Sequence, residues 1–395
     1  MHNRLAVRLA AAAAFVAAVS TGAVAQNTVK VTLVMPMTGT LSAAGKQVVA
    51  GALLYVSEHG DDVSGRKIEL AVKDDTSSFD VGRRLIQEAI INDKADIIGG
   101  GLTGDLFAAA PIINETMKPT VVMLSSTSAV IDKSLFFIRT SCTLAQSSAI
   151  VADWAIRNGI RKVVTLVSDF SPGHEAEAIF NERFLAGGGT IPEFVHVPLR
   201  SPDFAPFLQR AQDAGPQAIF AFIPSAQAGS FAKQFRERGL DKAGMKLIGP
   251  GDITDDEILA NMGDAMLGTV TVHFYSVTHP TPTNAAFAQA YRRQAGERAN
   301  FMAVSGYDGM HLIYEALRKT GGSTDGKALL SAMRGMSWES PRGPMSIDAA
   351  TGDVVHNIYI RRVEKVEGSC RMSNLPPSKR SGMCARPPRT DVERT

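Results

Sequence analysis

The feature that most constrains this chain is a repeated alternation of short apolar runs with stretches of helical periodicity. Residues 29–35 (VKVTLVM) are β-rich and end at Pro36 and Gly39; residues 42–59 then place Val48, Val49, Leu53 and Val56 at helical spacing. Residues 67–73 alternate as a strand, and residues 80–92 carry Val81, Leu85, Ala89 and Ile90 on one helical face. A strand at 95–98, a helix at 105–115 and a strand at 120–124 complete the first series. The rhythm restarts after Arg139, with helices expected at 147–158, 174–186, 204–214 and 229–238 and strands at 162–167, 191–197, 218–223 and 246–248. A strand at 269–275 leads into a Pro-rich turn, helices follow at 284–295, 303–319 and 326–335, and 355–363 is the last clear strand. Strands that read as short unbroken apolar runs between helices belong to parallel sheets covered on both faces. The expected fold class is therefore α/β with two Rossmann-like units, each offering a ligand crevice at the carboxyl ends of its strands.

Composition excludes other classes. The 395 residues are 45% hydrophobic and 20% charged, too apolar for a disordered chain. No internal stretch approaches the roughly 20 apolar residues of a membrane-spanning helix. A formal charge of +2 offers no global attraction for nucleic acid. Residues 1–25 read as a cleaved secretory signal: Arg4 and Arg8, an apolar run from 9 to 19, then Ala23-Val24-Ala25 before Gln26. The mature chain is expected in the periplasm. Residues 368–395 hold six basic and two acidic residues and two Pro-Pro pairs, with no period of either kind, and read as a disordered basic tail. Cys370 and Cys384 either pair there or stand as unconstrained thiols, while Cys142 lies mid-chain.

The order of segments resembles type I periplasmic binding proteins, in the branched-chain amino-acid-binding (Leu/Ile/Val) branch of ABC-transport receptors. Val34-Met35-Pro36-Met37-Thr38-Gly39 with Ala44-Gly45, Asp74-Asp75 with residues 83–90, and Ser168-Asp169 with Pro172-Gly173 carry the likeness. So do residues 203–208 (DFAPFL), Ile248-Gly249-Pro250, Tyr307-Asp308 and Gly343-Pro344-Met345. The resemblance implies two lobes joined by three hinge crossings, placed near 139–143, 272–276 and 344–347. Lobe one would comprise 26–141 and 276–343, and lobe two 142–275 and 344–367. It also implies partners: a small carboxylate ligand, an ABC permease and its ATPase, with the receptor a monomer. A sensor of the same fold, signalling to a receptor or regulator, is the alternative.

Three hydroxyl-rich loops follow lobe-one strands: residues 38–42 with Ser42, residues 102–105 with Thr103, and Ser125-Ser126-Thr127-Ser128. Helix N-termini and uncharged hydroxyls together suit a carboxylate, although the same residue types serve as ordinary N-caps, for Ser42 at least as well. By resemblance, Thr103 and Ser125 to Ser128 take the carboxylate-binding positions. Phe170, Pro172, Phe222 and Asp252 are expected to form the selectivity wall of lobe two. In amino-acid-binding relatives a Tyr is common at the position of Pro172, and an acid directly after Gly-Pro meets the ligand ammonium. Here Gly251 follows Pro250 and Asp252 comes one place later, which favours an aromatic acid over a branched-chain amino acid. His174 and Tyr275 are further candidates, with a solvated helix start and hinge packing as their ordinary roles; Cys142 is expected as a small buried filler at a hinge. Asp74-Asp75 and Asp255-Asp256 read as solvated loop residues.

Catalytic and cofactor motifs are missing. No Gly-x-x-x-x-Gly-Lys-Ser/Thr, Gly-x-Ser-x-Gly or His-Glu-x-x-His occurs, and residues 99–104 do not have dinucleotide-fingerprint spacing. With no Cys-x-x-Cys either, the sequence predicts neither an enzyme, a cofactor nor a metal site.

Overall fold

The computed structural model describes residues 28–200, 203–366 and 369–375; the expected signal segment and Cys384 lie outside the described residues. The first series forms β1 (Thr28–Met35), α1 (Ser42–His59), β2 (Asp62–Val63), β3 (Arg66–Asp74), α2 (Phe79–Ile91), β4 (Ile97–Gly100), α3 (Thr103–Thr116), β5 (Thr120–Val122) and β6 (Phe137–Arg139). Their sheet runs β2-β3-β1-β4-β5-β6 and is parallel except for the β2–β3 hairpin. The second series forms α4 (Leu144–Arg157), β7 (Val163–Ser168), α5 (Ser171–Ala186), β8 (Phe194–Val197), α6 (Ala205–Asp213), β9 (Ala218–Phe222), α7 (Ser225–Glu237), β10 (Lys246–Pro250), α8 (Asp256–Leu259) and β11 (Val270–His273). The chain continues as α9 (Pro282–Ala295), α10 (Phe301–Lys319), α11 (Gly326–Met333), β12 (Ser337–Ser340), β13 (Gly343–Ile347), β14 (Val354–His356), β15 (Tyr359–Val366) and β16 (Ser369–Asn374). The second sheet is ordered β16-β15-β11-β10-β9-β7-β8, with β12, β13 and β14 in a small antiparallel sheet of their own.

The expected α/β class with two parallel-dominated sheets is what these residues form, and the reason lies in burial. Every residue of β4, β5, β7 and β9 is buried, as strands covered on both faces must be. Helix α10 returns to the first lobe and packs along α1. Added Cβ atoms show how closely: one on Gly51 would sit 1.9 Å from the Ala303 carbonyl oxygen, and one on Gly306 would sit 2.0 Å from that of Val48. Glycine at both contact points is what lets the two backbones approach.

The last part of the chain departs from expectation. Residues 344–347 were assigned to lobe two, yet β13 pairs only with β12 and β14, and Ile347 is buried in the core that contains Val31 and Leu33. The chain enters the second sheet at Tyr359, where β15 lies antiparallel to β11. The expected strand at 355–363 is thus two strands broken around Asn357 and Ile358. Beyond it, Ser369–Asn374 is not disordered: β16 pairs antiparallel with β15 from Val366↔Ser369 to Arg361↔Asn374. Cys370 and Met372 alternate into the core of the second lobe, 5% and 1% exposed, beside Met266 and Val363. Cys370 Sγ donates to the Gly263 carbonyl at 3.1 Å.

Two arginines with no exposed surface tie the crossings together. Arg139 Nε donates to Asp353 Oδ1 at 2.7 Å, and its Nη atoms reach the carbonyls of Ser125 (2.8 Å) and Thr127 (2.9 Å). Arg342 Nη2 lies 2.6 Å from Asp308 Oδ2 and donates to the Thr140 carbonyl at 2.8 Å. Trp338 Nε1 and Ser340 Oγ also donate to Asp308. Cys142 packs beside these groups, and burial pushes its thiol pKa up to about 12, consistent with an inert filler.

Two outcomes follow for stability. Met372→Ala should lower unfolding free energy by about 2–5 kcal/mol in chemical denaturation, as expected for a methionine lost from a closed core; an unchanged midpoint would mean that β16 is not packed. Asp353→Ala leaves the Arg139 guanidinium buried without its carboxylate and should cost about 3–5 kcal/mol in the same measurement, and adding Arg139→Met should not restore stability, because the Ser125 and Thr127 carbonyls then lose their donors.

Candidate functional site

In both sheets the strand order reverses at one point. Chain connections leave β1 toward β3 but leave β4 toward β5, so the first switch lies between β1 and β4. In the second sheet β7 leads outward to β8 while β9 leads the other way to β10, which places the switch between β7 and β9. Loops diverge at such points and open a crevice at the carboxyl edge. The two crevices face each other and enclose a cleft of about 350 Å³.

From lobe one the cleft is lined by Thr40, Leu41, Ala43, Ala44 and Gln47 at the start of α1, and by Leu102, Thr103 and Gly104 at the start of α3. Phe79, Phe107, Leu124, Ser125, Ser126 and Met302 complete that side. Lobe two contributes Phe170, Ser171, Pro172, Phe222, Pro224, Ser225, Ala226 and Asp252. The helix starts share a property. The N-cap positions of α1, α3, α5 and α7 are Leu41, Leu102, Phe170 and Pro224, none of which offers a side-chain acceptor. By contrast Thr143, Thr281, Asn300 and Asp325 cap α4, α9, α10 and α11 with a side-chain oxygen. Helices that point at the cleft therefore keep N–H donors and partial positive charge available there. No Lys, Arg or His lines the cleft among the described residues.

The hydroxyls predicted to take a carboxylate divide into two groups. Thr103, Ser125 and Ser126 line the cleft; Thr127, Ser128 and Ser42 do not. Thr103 Oγ1 lies 2.7 Å from Ser125 Oγ and 3.0 Å from Thr127 Oγ1, so Thr127 supports Thr103 from behind. The Ser128 N–H instead crosses between lobes to the Glu175 carboxylate, at 3.0 and 3.1 Å from its two oxygens. Ser42 is the first residue of α1, and that helix turns Ala43, Ala44 and Gln47 toward the cleft instead. The Ser125 carbonyl is held by both Arg139 and Ser141 Oγ, the latter at 2.7 Å, which fixes the loop that carries the hydroxyl. Asp105 accepts the Leu102 N–H at 3.1 Å and is fully buried; burial, with repulsion from Asp75 next, raises its pKa to about 8.

On the opposite wall, Phe170, Pro172 and Phe222 line the cleft, the two rings stacked with centroids 6.0 Å apart and planes 17° off parallel. Asp252 also lines the cleft, and its pKa is raised to about 7, first by burial and then by the neighbouring charge of Asp255. Gly251 has a steric reason: a Cβ there would lie 2.3 Å from Arg361 Nη2 and 2.4 Å from His273 Cδ2. An acidic side chain directly after Pro250 has no room.

Several expectations need correction. Asp255 and Asp256 are not solvated but 1% and 3% exposed; Asp255 accepts from Asn300 Nδ2 at 2.9 Å, and Asp256 lies 3.7 Å from Arg361 Nη1. Asp75 is also fully buried, and Asp74 pins the β1–α1 loop by accepting the Met37 and Thr38 N–H groups at 2.9 and 3.1 Å. His174 bonds Asp169 at 2.8 Å and does not line the cleft, and Tyr275 is buried in the hinge cluster. Sequence reasoning missed Phe79, Phe107, Gln47 and Met302, which reach the cleft from within helices. Asn300 Nδ2 bonds Gln47 Oε1 at 2.5 Å as well as Asp255, so it bridges the two lobes.

Comparison with known proteins agrees with this geometry. The model of the family described as periplasmic binding protein matches residues 28–368. Leu/Ile/Val-binding protein homolog 6 of Brucella abortus (strain 2308) is 36% identical over 365 residues, 91% of this chain and 94% of that one. A solute binding protein of an ABC transporter from Rhodopseudomonas palustris BisB5, solved in complex with 3,4-dihydroxy benzoic acid, is 54% identical with a TM-score of 0.87. That match covers 89% of this chain and 97% of the other. A second one, from Rhodopseudomonas palustris HaA2 in complex with p-hydroxybenzoic acid, is 36% identical with a TM-score of 0.84, over 88% and 96% of the two chains. With two α/β lobes closing on one cleft, and a match that extends over most of its length, the chain belongs to the periplasmic binding protein family of ABC-transport receptors.

Proposed function

We propose that this protein captures a small aromatic carboxylate in the periplasm and presents it, unaltered, to an ABC permease and its ATPase. The observation that carries this reading is the make-up of the cleft lining: uncharged hydroxyl donors, four phenylalanine rings, and no Lys, Arg or His among the described residues. Thr103, Ser125 and Ser126, with the free N–H groups that begin α3, supply donors for the carboxylate. Phe79, Phe107, Phe170 and Phe222 offer faces and edges to a ring. A cleft of about 350 Å³ suits a ligand of one-ring size. The benzoic acids bound to the two Rhodopseudomonas palustris proteins have these chemical parts. Export through residues 1–25 and action as a monomer belong to the same proposal.

The mechanism is closure about the hinge. A ligand that touches both lobes stabilises the closed arrangement by the contacts it makes only there. The Glu175–Ser128 contact and the Asn300 bridge lie across the same gap, so they add to the ligand's own contacts in holding the lobes together.

Asp252 gives the proposal a sign. Its carboxyl titrates near pH 7, and an anionic ligand in the same cleft is held better while that group is protonated. Affinity for 4-hydroxybenzoate or 3,4-dihydroxybenzoate should therefore fall between pH 6 and pH 8, by up to about tenfold per pH unit above the pKa of the unliganded protein and levelling off above the higher pKa of the complex. An α-amino acid would show the opposite slope, because its ammonium is favoured by the ionised form. Calorimetry of both acids, benzoate, leucine and valine at the two pH values measures this directly, with Asp252→Asn expected to flatten the profile. Tight leucine binding without any benzoate-type binding would overturn the aromatic assignment. Thr103→Val should weaken the aromatic acids by about tenfold, the cost of a lost donor to a charged group, with some loss of stability because Ser125 and Thr127 lose the hydroxyl they bond.

A further inference from the structure

On the face of lobe two, outside the cleft, three metal-ligating side chains converge from two elements. His174 and Glu177 are one turn apart on α5, and His196 lies on β8, whose neighbour β7 packs under that helix. The candidate donor atoms of the three all lie within 4.8 Å of one another. The imidazoles meet edge to face with centroids 4.9 Å apart. His196 Nε2 is 2.7 Å from Glu177 Oε2, and His174 Nε2 is 2.8 Å from Asp169 Oδ1.

We propose that His174, Glu177 and His196 form a binding site for one divalent transition-metal ion of the zinc class, with Asp169 orienting His174 from outside the group. Glu177 carries most of the case. Its residue is only 7% exposed, and its one ion-pair partner among the described residues is His196. A buried carboxylate needs positive charge close by, and no Lys or Arg provides it here. The Thr165 hydroxyl, on β7, donates to the other oxygen, Oε1. A hydroxyl that orients a ligating carboxylate from behind is the support that metal sites use to fix their ligands. The two imidazoles are 46% and 42% exposed at the side chain, so their rings remain accessible to an ion and free to turn toward it. Two imidazole nitrogens and one or two carboxylate oxygens form a donor set suited to Zn²⁺, and to Ni²⁺ or Cu²⁺, rather than to Ca²⁺ or Mg²⁺. Sequence spacing hid the cluster, because one histidine comes from a strand outside any short motif.

The site lies directly behind the cleft wall. Asp169 precedes Phe170, Ser171 and Pro172, which line the cleft, and His174 follows them. A bound ion would thus tie the His174 end of that segment to β8 without touching the ligand.

The experiment uses the mature protein without a histidine tag, stripped of metal by chelation. Titration with Zn²⁺ in a calorimeter should show one equivalent bound per chain, and Co²⁺ should give the visible absorption of a site with nitrogen ligands. His196→Ala should lower Zn²⁺ affinity by at least about tenfold, and Thr165→Val by about tenfold at the same stoichiometry. His59→Ala, far from the cluster, should change neither. His174 and His196 are exposed, and circular dichroism melting checks that their variants remain folded. Absence of a stoichiometric Zn²⁺, Ni²⁺ or Cu²⁺ isotherm would overturn the proposal, as would affinity that survives His174→Ala and His196→Ala together. Loss of Zn²⁺ binding in those variants with unchanged aromatic-acid binding would support a site separate from the cleft.

Discussion

The cleft depends on a guanidinium that never meets water. Arg139 sits at the first crossing, neutralised by Asp353, and its remaining N–H groups are spent on the carbonyls of the segment that carries Ser125 to Ser128. Those carbonyls face away from the cleft and would otherwise be buried without donors. Satisfying them from behind leaves the Ser125 and Ser126 side of the loop available to a ligand. Arg342 does the same for Thr140 and Ser141, with Asp308 as its counter-ion. Removing either acid would strand a buried charge, so hinge and binding loop stand or fall together. Placing such pairs at the crossings gives a rigid pivot, where softer packing would let the lobes drift apart.

With no Lys, Arg or His on its lining among the described residues, the cleft has dipoles rather than fixed cations to offer an anion. Four helices begin at its walls with N-caps that offer no side-chain acceptor, whereas α4, α9, α10 and α11 are capped by Thr, Asn or Asp. A Ser or Thr that capped α3 would consume the donors a carboxylate needs. Instead Asp105 takes only the Leu102 N–H, one position outside the helix. Uncharged donors bind an anion without requiring its full exchange for a salt bridge, and they leave less penalty when the cleft stands open to water.

Much of this was legible in the sequence, and the limits were physical. Covered parallel strands write themselves as apolar runs, so the two α/β units and the loops at their edges could be located residue by residue. Thr103, Ser125, Phe170 and Phe222 could be named because they stand in loops after strands, at the carboxyl edge where such sheets take ligands. The distinction between Ser126, which lines it, and Thr127, which backs up Thr103, turns on side-chain direction and had no sequence signal. Buried Asp255 and Asp256 looked like solvated loop acids because their partners, Arg361 and Asn300, come from distant elements. Strand β16 was missed for a different reason: Cys370 and Met372 alternate over too few residues, beside Pro-Pro pairs and basic residues, for a period to emerge. Its pairing with β15 supplies order that local composition does not.

The proposed preference for an aromatic acid rests on Gly251 and Asp252 together. Arg361 and His273 fill the space a side chain at 251 would need, so the acid that an amino-acid receptor would place there is displaced by one residue. At position 252 it is buried deeply enough, and close enough to Asp255, to hold its proton near neutral pH. A protonated carboxyl offers a ligand one donor and one acceptor but no charge. An ammonium in this cleft would have to ionise Asp252 against both burial and a neighbouring carboxylate, whereas a neutral ring with a hydroxyl group asks for no such change. Steric exclusion at one position thereby becomes electrostatic discrimination at the next.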